Sequence, residues 1–544
     1  MRHGIILYLF LLPFAGFGQT SPDTYWIQFT DKDGTPYSLD QPEAFLSPRA
    51  IQRRLVQGIA LDELDLPVDP AYVQAVLALG EVQLQHKSKW FNAITIRTSD
   101  PDIMQAVSEL PFVQQVRQTR STVTQGDVPD KFPLTPSERD LQYGPSLIQV
   151  SMMNVHLLHE LSLGEGMLIG VLDSGFEGVD INPVFGPLRD RDGIVHVRDM
   201  VQPGGNVYAE HWHGRSVLSC MAGIFPDHLI GTAPGADYVL VRTEAVGSEY
   251  IVEEDNWVAG AELCDSLGCD ILNTSLGYTR FDDPSQDHAY ADLDGLTTRI
   301  SIASGIASSK GMIPVSSAGN SGENDWYYLS APADAHDILA VGAVGAEAQP
   351  APFSSHGPSA DGRVKPDVSA MGWGTIGLNV AGDYIDGING TSFAAPLVAG
   401  AVACLWKLHP ERTAADIMQA VRASASHYSA SEDQLGFGIP DFMAAHELLL
   451  LSIGVDEESD QALLPYPLPF QDRLQIRTSM TGLLHVSLVD IAGRTALARR
   501  SLHVQQGTIT LQDLGSLADG PYLLVLENGG QREAMRVVKS SGIR

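Results

Sequence analysis

Three polar side chains in this sequence stand where an apolar element begins or ends, and together they can make a nucleophile. Ser392 lies in Gly390-Thr391-Ser392-Phe393-Ala394-Ala395-Pro396, and a run of small apolar residues continues to Leu405. The run predicts a buried helix with Ser392 at its N-terminal end. There, free backbone N–H groups and the positive end of the helix dipole favour a developing oxyanion. Pro396 reads as a first-turn residue, where a missing N–H costs little. A lone serine in such a place is an ordinary helix cap, so its company matters. Asp173 closes the apolar run Met167–Leu172, and alone it is a turn residue. His213 is followed by Gly214 and an apolar helical stretch, whereas its competitor His211 lacks the glycine. A serine needs a base, and a histidine base needs an acid to fix its tautomer and stabilise its imidazolium. Asn320, after the apolar run Ile313–Ser317, carries an amide donor of the kind an oxyanion hole uses.

The elements that must position these groups lie between residues 141 and 452. Apolar strands are expected at Met167–Leu172, Tyr238–Arg242, Ile271–Thr274, Ile313–Ser317 and Ile338–Val344, with helices at Val252–Leu267 and Thr297–Ser309. Strands apolar on both faces and spaced by helices predict an α/β fold with a doubly wound, mostly parallel sheet. Chemistry in such a sheet sits at the carboxyl ends of the strands.

The flanks are smaller units. Residues 24–122 read strand-helix-strand-strand-helix-strand, an α+β domain of the split βαβ kind. Within it, Ser47 caps and Pro48 opens a helix bearing Arg49, Arg53 and Arg54, whose charges read as a solvated face. Residues 123–140 and 453–463 are polar linkers, and 464–544 alternates as a small β-sandwich module. Residues 1–18 have a basic start, an apolar run too short to span a bilayer and a small-residue end, the pattern of a signal peptide. No later stretch is expected to reach the ~18 apolar residues of a membrane helix. A net charge of −32 argues against nucleic acid and anionic membranes as partners. Cys220, Cys264, Cys269 and Cys404 allow up to two disulfides; a local Cys264–Cys269 loop is plausible, and buried free thiols are equally compatible for Cys220 and Cys404.

Eight motifs in order make the central region resemble a subtilase, a subtilisin-like serine peptidase. They are Val171–Gly175, His213-Gly214, Gly231–Ala236, Asn273–Gly277, Ser316–Asn320, Phe353–Gly357, Lys365–Asp367 and Gly390–Pro396. The resemblance implies that Asp173 orients His213, that His213 is the base, that Ser392 attacks and that Asn320 binds the oxyanion. It implies further that Ser275, Leu276 and Gly277 pair with the substrate backbone, and that Ser316, Ser317, Ala318 and Gly319 line the wall of the primary specificity pocket. No cofactor is required for such chemistry. Structural calcium, common in the family, is compatible, with Asp282-Asp283 and Asp292/Asp294 as weak candidates and the ligands themselves unknown. Two departures stand out: Arg215 where threonine is usual, a substitution that could alter specificity or pH response, and Ala370-Met371-Gly372 where Ala-Pro-Gly is usual.

By the same reasoning, residues 24–122 stand where subtilases carry an inhibitory, chaperone-like propeptide. Residues 464–544 are similar to C-terminal sorting domains of the type IX secretion system, on Tyr466–Phe470, Asp490–Arg494 and Gly520–Tyr522. These resemblances imply a self-processing zymogen, secreted or anchored at the cell surface, with protein substrates and the type IX machinery as partners and a monomer as the working form. The alternative is a catalytically silent surface interaction protein on the same fold. The intact Asp173, His213, Asn320 and Ser392 argue against it, and a histidine in the base position argues against a serine-carboxyl peptidase.

Overall fold

The computed structural model describes residues 23–120, 144–382, 385–451, 464–466, 470–477, 482–490, 495–504, 508–518, 520–528 and 531–539. The expected signal peptide and both linkers lie outside these residues, as do the motif positions 467–469 and 491–494. The chain forms two compact units, residues 1–441 and 442–544. The propeptide-like segment and the predicted catalytic region thus pack together in the first. The helix Phe442–Leu451, expected inside the catalytic region, falls in the second.

The N-terminal segment builds β1 (Asp23–Phe29), α1 (Pro48–Val56), α2 (Pro70–Leu77), β2 (Val82–Ser88), β3 (Ala93–Thr98), α3 (Ile103–Ser108) and β4 (Val113–Arg120). The sheet is antiparallel in the order β2-β3-β1-β4, the split βαβ arrangement expected. Ser47 caps α1 by accepting the Ala50 N–H at 3.1 Å, with Pro48 in the first position. The expectation that the basic residues of α1 form a solvated face fails, because Arg53 and Arg54 are 6% and 2% exposed. Most of their partners, Asp265, Cys269 and Lys310, lie more than 200 residues away in the chain, beyond the reach of any local pattern.

The peptidase-like region has seven strands in one parallel sheet: β5 (Leu168–Asp173), β6 (Ile194–Asp199), β7 (Asp237–Arg242), β8 (Ile271–Thr274), β9 (Ile313–Ser317), β10 (Leu339–Val344) and β11 (Val368–Met371). Their order is β11-β10-β9-β8-β5-β7-β6. Five of the seven are the predicted apolar runs. The edge strands β6 and β11 were not predicted; β6 lacks the continuous apolar run because its side chains are partly exposed. Helices α4 (His213–Ala222), α5 (Val252–Leu267), α6 (Arg299–Ser309), α7 (Thr391–Leu408) and α8 (Ala414–Ala423) accompany the sheet. Gly268 ends α5 in the left-handed region, φ 87°, as its place after Leu267 suggests. All four cysteines are buried free thiols, so no local Cys264–Cys269 bridge forms.

Helix α7 corrects two expectations. By length and composition it could cross a membrane, yet 89% of its apolar window is buried within the fold, as befits a core helix. Pro396 lies one turn deeper than expected, inside the helix. Without an N–H it leaves the carbonyl of Ser392 unused by the helix, and the Ser275 hydroxyl donates to that carbonyl at 2.7 Å. The proline thus frees an acceptor that ties the start of α7 to the segment after β8.

The second unit has two antiparallel sheets, of strands Leu464–Tyr466, Leu474–Arg477 and Thr508–Leu511, and of Gly482–Asp490, Thr495–Val504, Gly520–Asn528 and Gln531–Lys539. They share one core around Leu474, Leu484, Leu488, Leu524 and Val537, a sandwich as expected.

Candidate active site

All the polar groups singled out from the sequence stand at the carboxyl ends of parallel strands or at the start of a helix that follows. Asp173 is the last residue of β5 and fully buried. Its Oδ1 accepts from Ser174 N at 2.7 Å and lies 2.8 Å from His213 Nδ1. His213 begins α4 and is 2% exposed. Gly214 is required beside it, since a Cβ there would meet the Gly175 carbonyl at 2.3 Å. His211, the competitor, is drawn away to Ser174 Oγ at 2.9 Å.

Ser392 is the second residue of α7, after Gly390 at φ 147°. Its hydroxyl donates to the Ser275 carbonyl at 3.1 Å, reciprocating the bond that Ser275 makes to its own carbonyl. Asn320 uses its Oδ1 to accept both Thr391 N at 2.9 Å and Thr391 Oγ1 at 3.0 Å. The other branch of that amide, Nδ2, is left as the donor end.

His213, Ser392, Asn320, Ser275, Leu276 and Gly277 line one cleft of about 650 Å³. Of the expected specificity-pocket wall, Ser317 and Gly319 line it; Ser316 and Ala318 do not, and both are fully buried. The alternation of side chains along a strand and its continuation explains the difference. The hydroxyl of Ser330 lies between Gly319 of this wall and Gly277: a Cβ added at Gly277 would meet it at 2.1 Å, and one added at Gly319 at 3.0 Å.

Sequence reasoning missed Thr391, whose hydroxyl accepts the Gly319 N–H at 3.2 Å and so links the strand end to the nucleophile's helix. Its place beside Ser392 was the available signal. It also missed Glu244 and Glu249, which line the cleft and bring carboxylate oxygens, with Glu253, within 4.8 Å of one another. Nothing local marks those three. Of the calcium candidates, Asp282 accepts Glu249 N, Asp283 accepts Ser285 N, Asp292 accepts Ala289 N, and Asp294 accepts Leu296 N and the Thr297 hydroxyl. Arg215 is 4% exposed and holds the carbonyls of Asn379 and Val380 together with Glu177, which makes it a loop anchor.

The profile of the subtilase family matches residues 164–438, half of the chain, and the protein belongs to that family of serine endopeptidases. Residues 24–131 match the peptidase S8 propeptide domain of Bacteroidota, and residues 465–540 match a secretion system C-terminal sorting domain. Mycosin-1 of Mycobacterium tuberculosis is 27% identical over 387 residues, 63% of this chain and 82% of mycosin-1. Subtilisin E of Bacillus subtilis is 28% identical over 303 residues, 54% of this chain and 70% of subtilisin E. Human membrane-bound transcription factor site-1 protease is 29% identical over 297 residues, 53% of this chain but only 25% of that protein. The protein is thus a secreted or cell-surface serine protease made with a propeptide, and its sorting domain addresses it to the type IX secretion machinery.

Proposed function

We propose that the protein hydrolyses peptide bonds through Asp173, His213 and Ser392, with Asn320 in the oxyanion hole, and that it cuts its own propeptide away. The observation that carries this reading is the buried Asp173–His213 pair, 2.8 Å apart, whose His213 lines the same cleft as Ser392 and Asn320. Asp173 holds the Nδ1 proton of His213, which leaves Nε2 as the base. On substrate binding the Ser392 hydroxyl turns from the Ser275 carbonyl to His213 Nε2. Its proton passes to Nε2 as Oγ bonds to the scissile carbonyl carbon. The resulting oxyanion takes hydrogen bonds from Asn320 Nδ2 and Ser392 N. His213 then returns the proton to the leaving amine as the C–N bond breaks, and water repeats the sequence on the acyl-enzyme. Ser275–Gly277 offers the substrate a strand edge, and Ser317 and Gly319 face its side chain. This chemistry requires no metal or cofactor. The working form is a monomer.

Hydrolysis of casein at neutral pH by the wild type and by Ser392→Ala tests the reading. The wild type should digest casein and shed its N-terminal region, and the variant should do neither. A wild type that stays inactive after limited proteolysis of its N-terminal region would favour the silent interaction protein.

A further inference from the structure

The strand Trp373–Leu378 pairs antiparallel with Ile385–Asn389, and Gly390, Thr391 and Ser392 follow that partner at once. The backbone ties the start of this ribbon to the nucleophile's helix. Gly390 N donates to the Gly372 carbonyl at 2.8 Å, and a Cβ at Gly372 would meet the Gly390 carbonyl at 2.8 Å. Trp373 is therefore fixed beside a residue that lies only two positions before Ser392.

Alternate residues of a strand share a face. Thr375 and Gly377 are buried, so strict alternation would bury Trp373 with them, yet Trp373 is 38% exposed. The register shifts between Trp373 and Thr375, where Gly374 takes φ 78° and donates its N–H to Asn389 Oδ1 at 2.7 Å. This bulge turns the indole outward, and it turns it into the cleft that Ser392 and His213 line. The other six tryptophans are buried or half-buried. An indole left in water there offers a large apolar surface that a ligand can cover.

The place of Trp373 in the cleft says which part of a ligand covers it. Under the proposed mechanism the acyl half of the substrate lies on Ser275–Gly277, with a side chain towards Ser317 and Gly319. The charged residues of the cleft other than His213 go with that half. Arg280 and Glu323 follow these two segments in the chain, Glu244 accepts the Tyr278 hydroxyl at 3.1 Å, and Glu249 N donates to Asp282 at 3.0 Å. The leaving half departs with the proton that His213 gives it, and around His213 the cleft is aromatic. The rings of Trp212 and Phe393 lie 5.5 and 5.6 Å from the imidazole, packed at 6% and 1% exposure. Trp373 lines the same cleft with its indole open to solvent.

We propose that Trp373 selects the leaving half of the substrate: its indole stacks on a large apolar or aromatic side chain at the first or second residue beyond the scissile bond. Two extended residues span about 7 Å, which suits an indole held beside Gly390. The inference rests on the reading of Asp173, His213 and Ser392 as the catalytic groups, and it adds to that reading the class of polypeptide that is cut fastest.

The test uses the wild-type protein after its N-terminal region is shed or removed by limited proteolysis. Internally quenched peptides share one acyl half and carry Phe, Leu, Ala, Lys or Asp in turn at the first and second residues after the cut. At one of these positions Phe and Leu should raise kcat/KM over Ala and Asp by about 10-fold or more. Trp373→Ala should reduce that ratio to about twofold or less, and Trp373→Phe should keep most of it. Should Trp373→Ala misfold, Trp373→Gln, polar and of similar reach, takes its place. A flat series in the wild type, a preference for Lys over Phe, or an undiminished ratio in the variant overturns the proposal. Cleavage of none of the peptides would instead count against the Ser392 chemistry itself, and the inference would fall with it.

Discussion

Replacing Asn320 by alanine separates the two jobs that its side chain performs. Its Oδ1 holds Thr391 through two hydrogen bonds, and its Nδ2 is left to the cleft. Loss of the Oδ1 bonds costs about 1 kcal/mol each at most, because Asn320 itself is exposed and water can replace it. In a unit of this size that is a few degrees in Tm or less. Loss of the Nδ2 donor should be felt only when the oxyanion forms. Removal of one such donor in subtilisin lowers kcat by about 10²–10³, or about 2.7–4 kcal/mol, and that figure is carried over from the relative. The expected result is therefore a kcat reduced by about two to three orders of magnitude with KM nearly unchanged. Steady-state kinetics on a chromogenic peptide, with thermal melts alongside, measure both. Asn320→Asp sharpens the comparison. It keeps the acceptor for Thr391, so it should melt like the parent, yet it sets an anion against the oxyanion and should be at least as slow as alanine. A kcat within tenfold of the parent for Asn320→Ala, or a loss carried by KM, would refute the assignment of Nδ2.

Gly277→Ala places a Cβ 2.1 Å from Ser330 Oγ and should displace the segment proposed to pair with the substrate, lowering kcat/KM by up to about 10²-fold. Ser330→Gly in the same chain should restore most of that loss, and no rescue would show that the clash is not the cause. Asp265→Asn strands Arg53, Arg54 and Lys89 at a buried site and should destabilise the Ser392→Ala chain by about 3–5 kcal/mol, read by denaturant unfolding. His86, in the same domain contact, bonds Asn256 at 2.8 Å. Burial, with the nearby charge of Arg97, lowers its pKa to about 4, against the Asn256 bond, which raises it. The folded state therefore binds fewer protons than the unfolded one. The contribution is complete above about pH 6.5 and is lost as pH falls towards 4, by about 3 kcal/mol. His86→Gln, which keeps a donor for Asn256, should flatten the pH dependence of unfolding across that window. Parallel curves for parent and variant would count against the burial argument.

The sequence alone determined the parts of this protein that are written locally. The apolar strands β5, β7, β8, β9 and β10 are continuous runs, and the residues that close them, Asp173, Ser275–Gly277 and Ser317–Asn320, follow at once in the chain. The position of Ser392 ahead of a long apolar helix, and the capping of α1 by Ser47, are equally local. What depended on residues distant in the chain was not legible. The charges of Arg53 and Arg54 look like any solvated helix face until Asp265, Cys269 and Lys310 are brought beneath them. The role of Pro396 changes once the Ser275 hydroxyl is seen on the carbonyl it leaves free. The meeting of Glu244, Glu249 and Glu253 at the cleft requires the loop before α5 to turn back on that helix's first turn. A side chain's type constrains its chemistry, but the burial that decides whether a charge is solvated, paired or functional belongs to the packed structure.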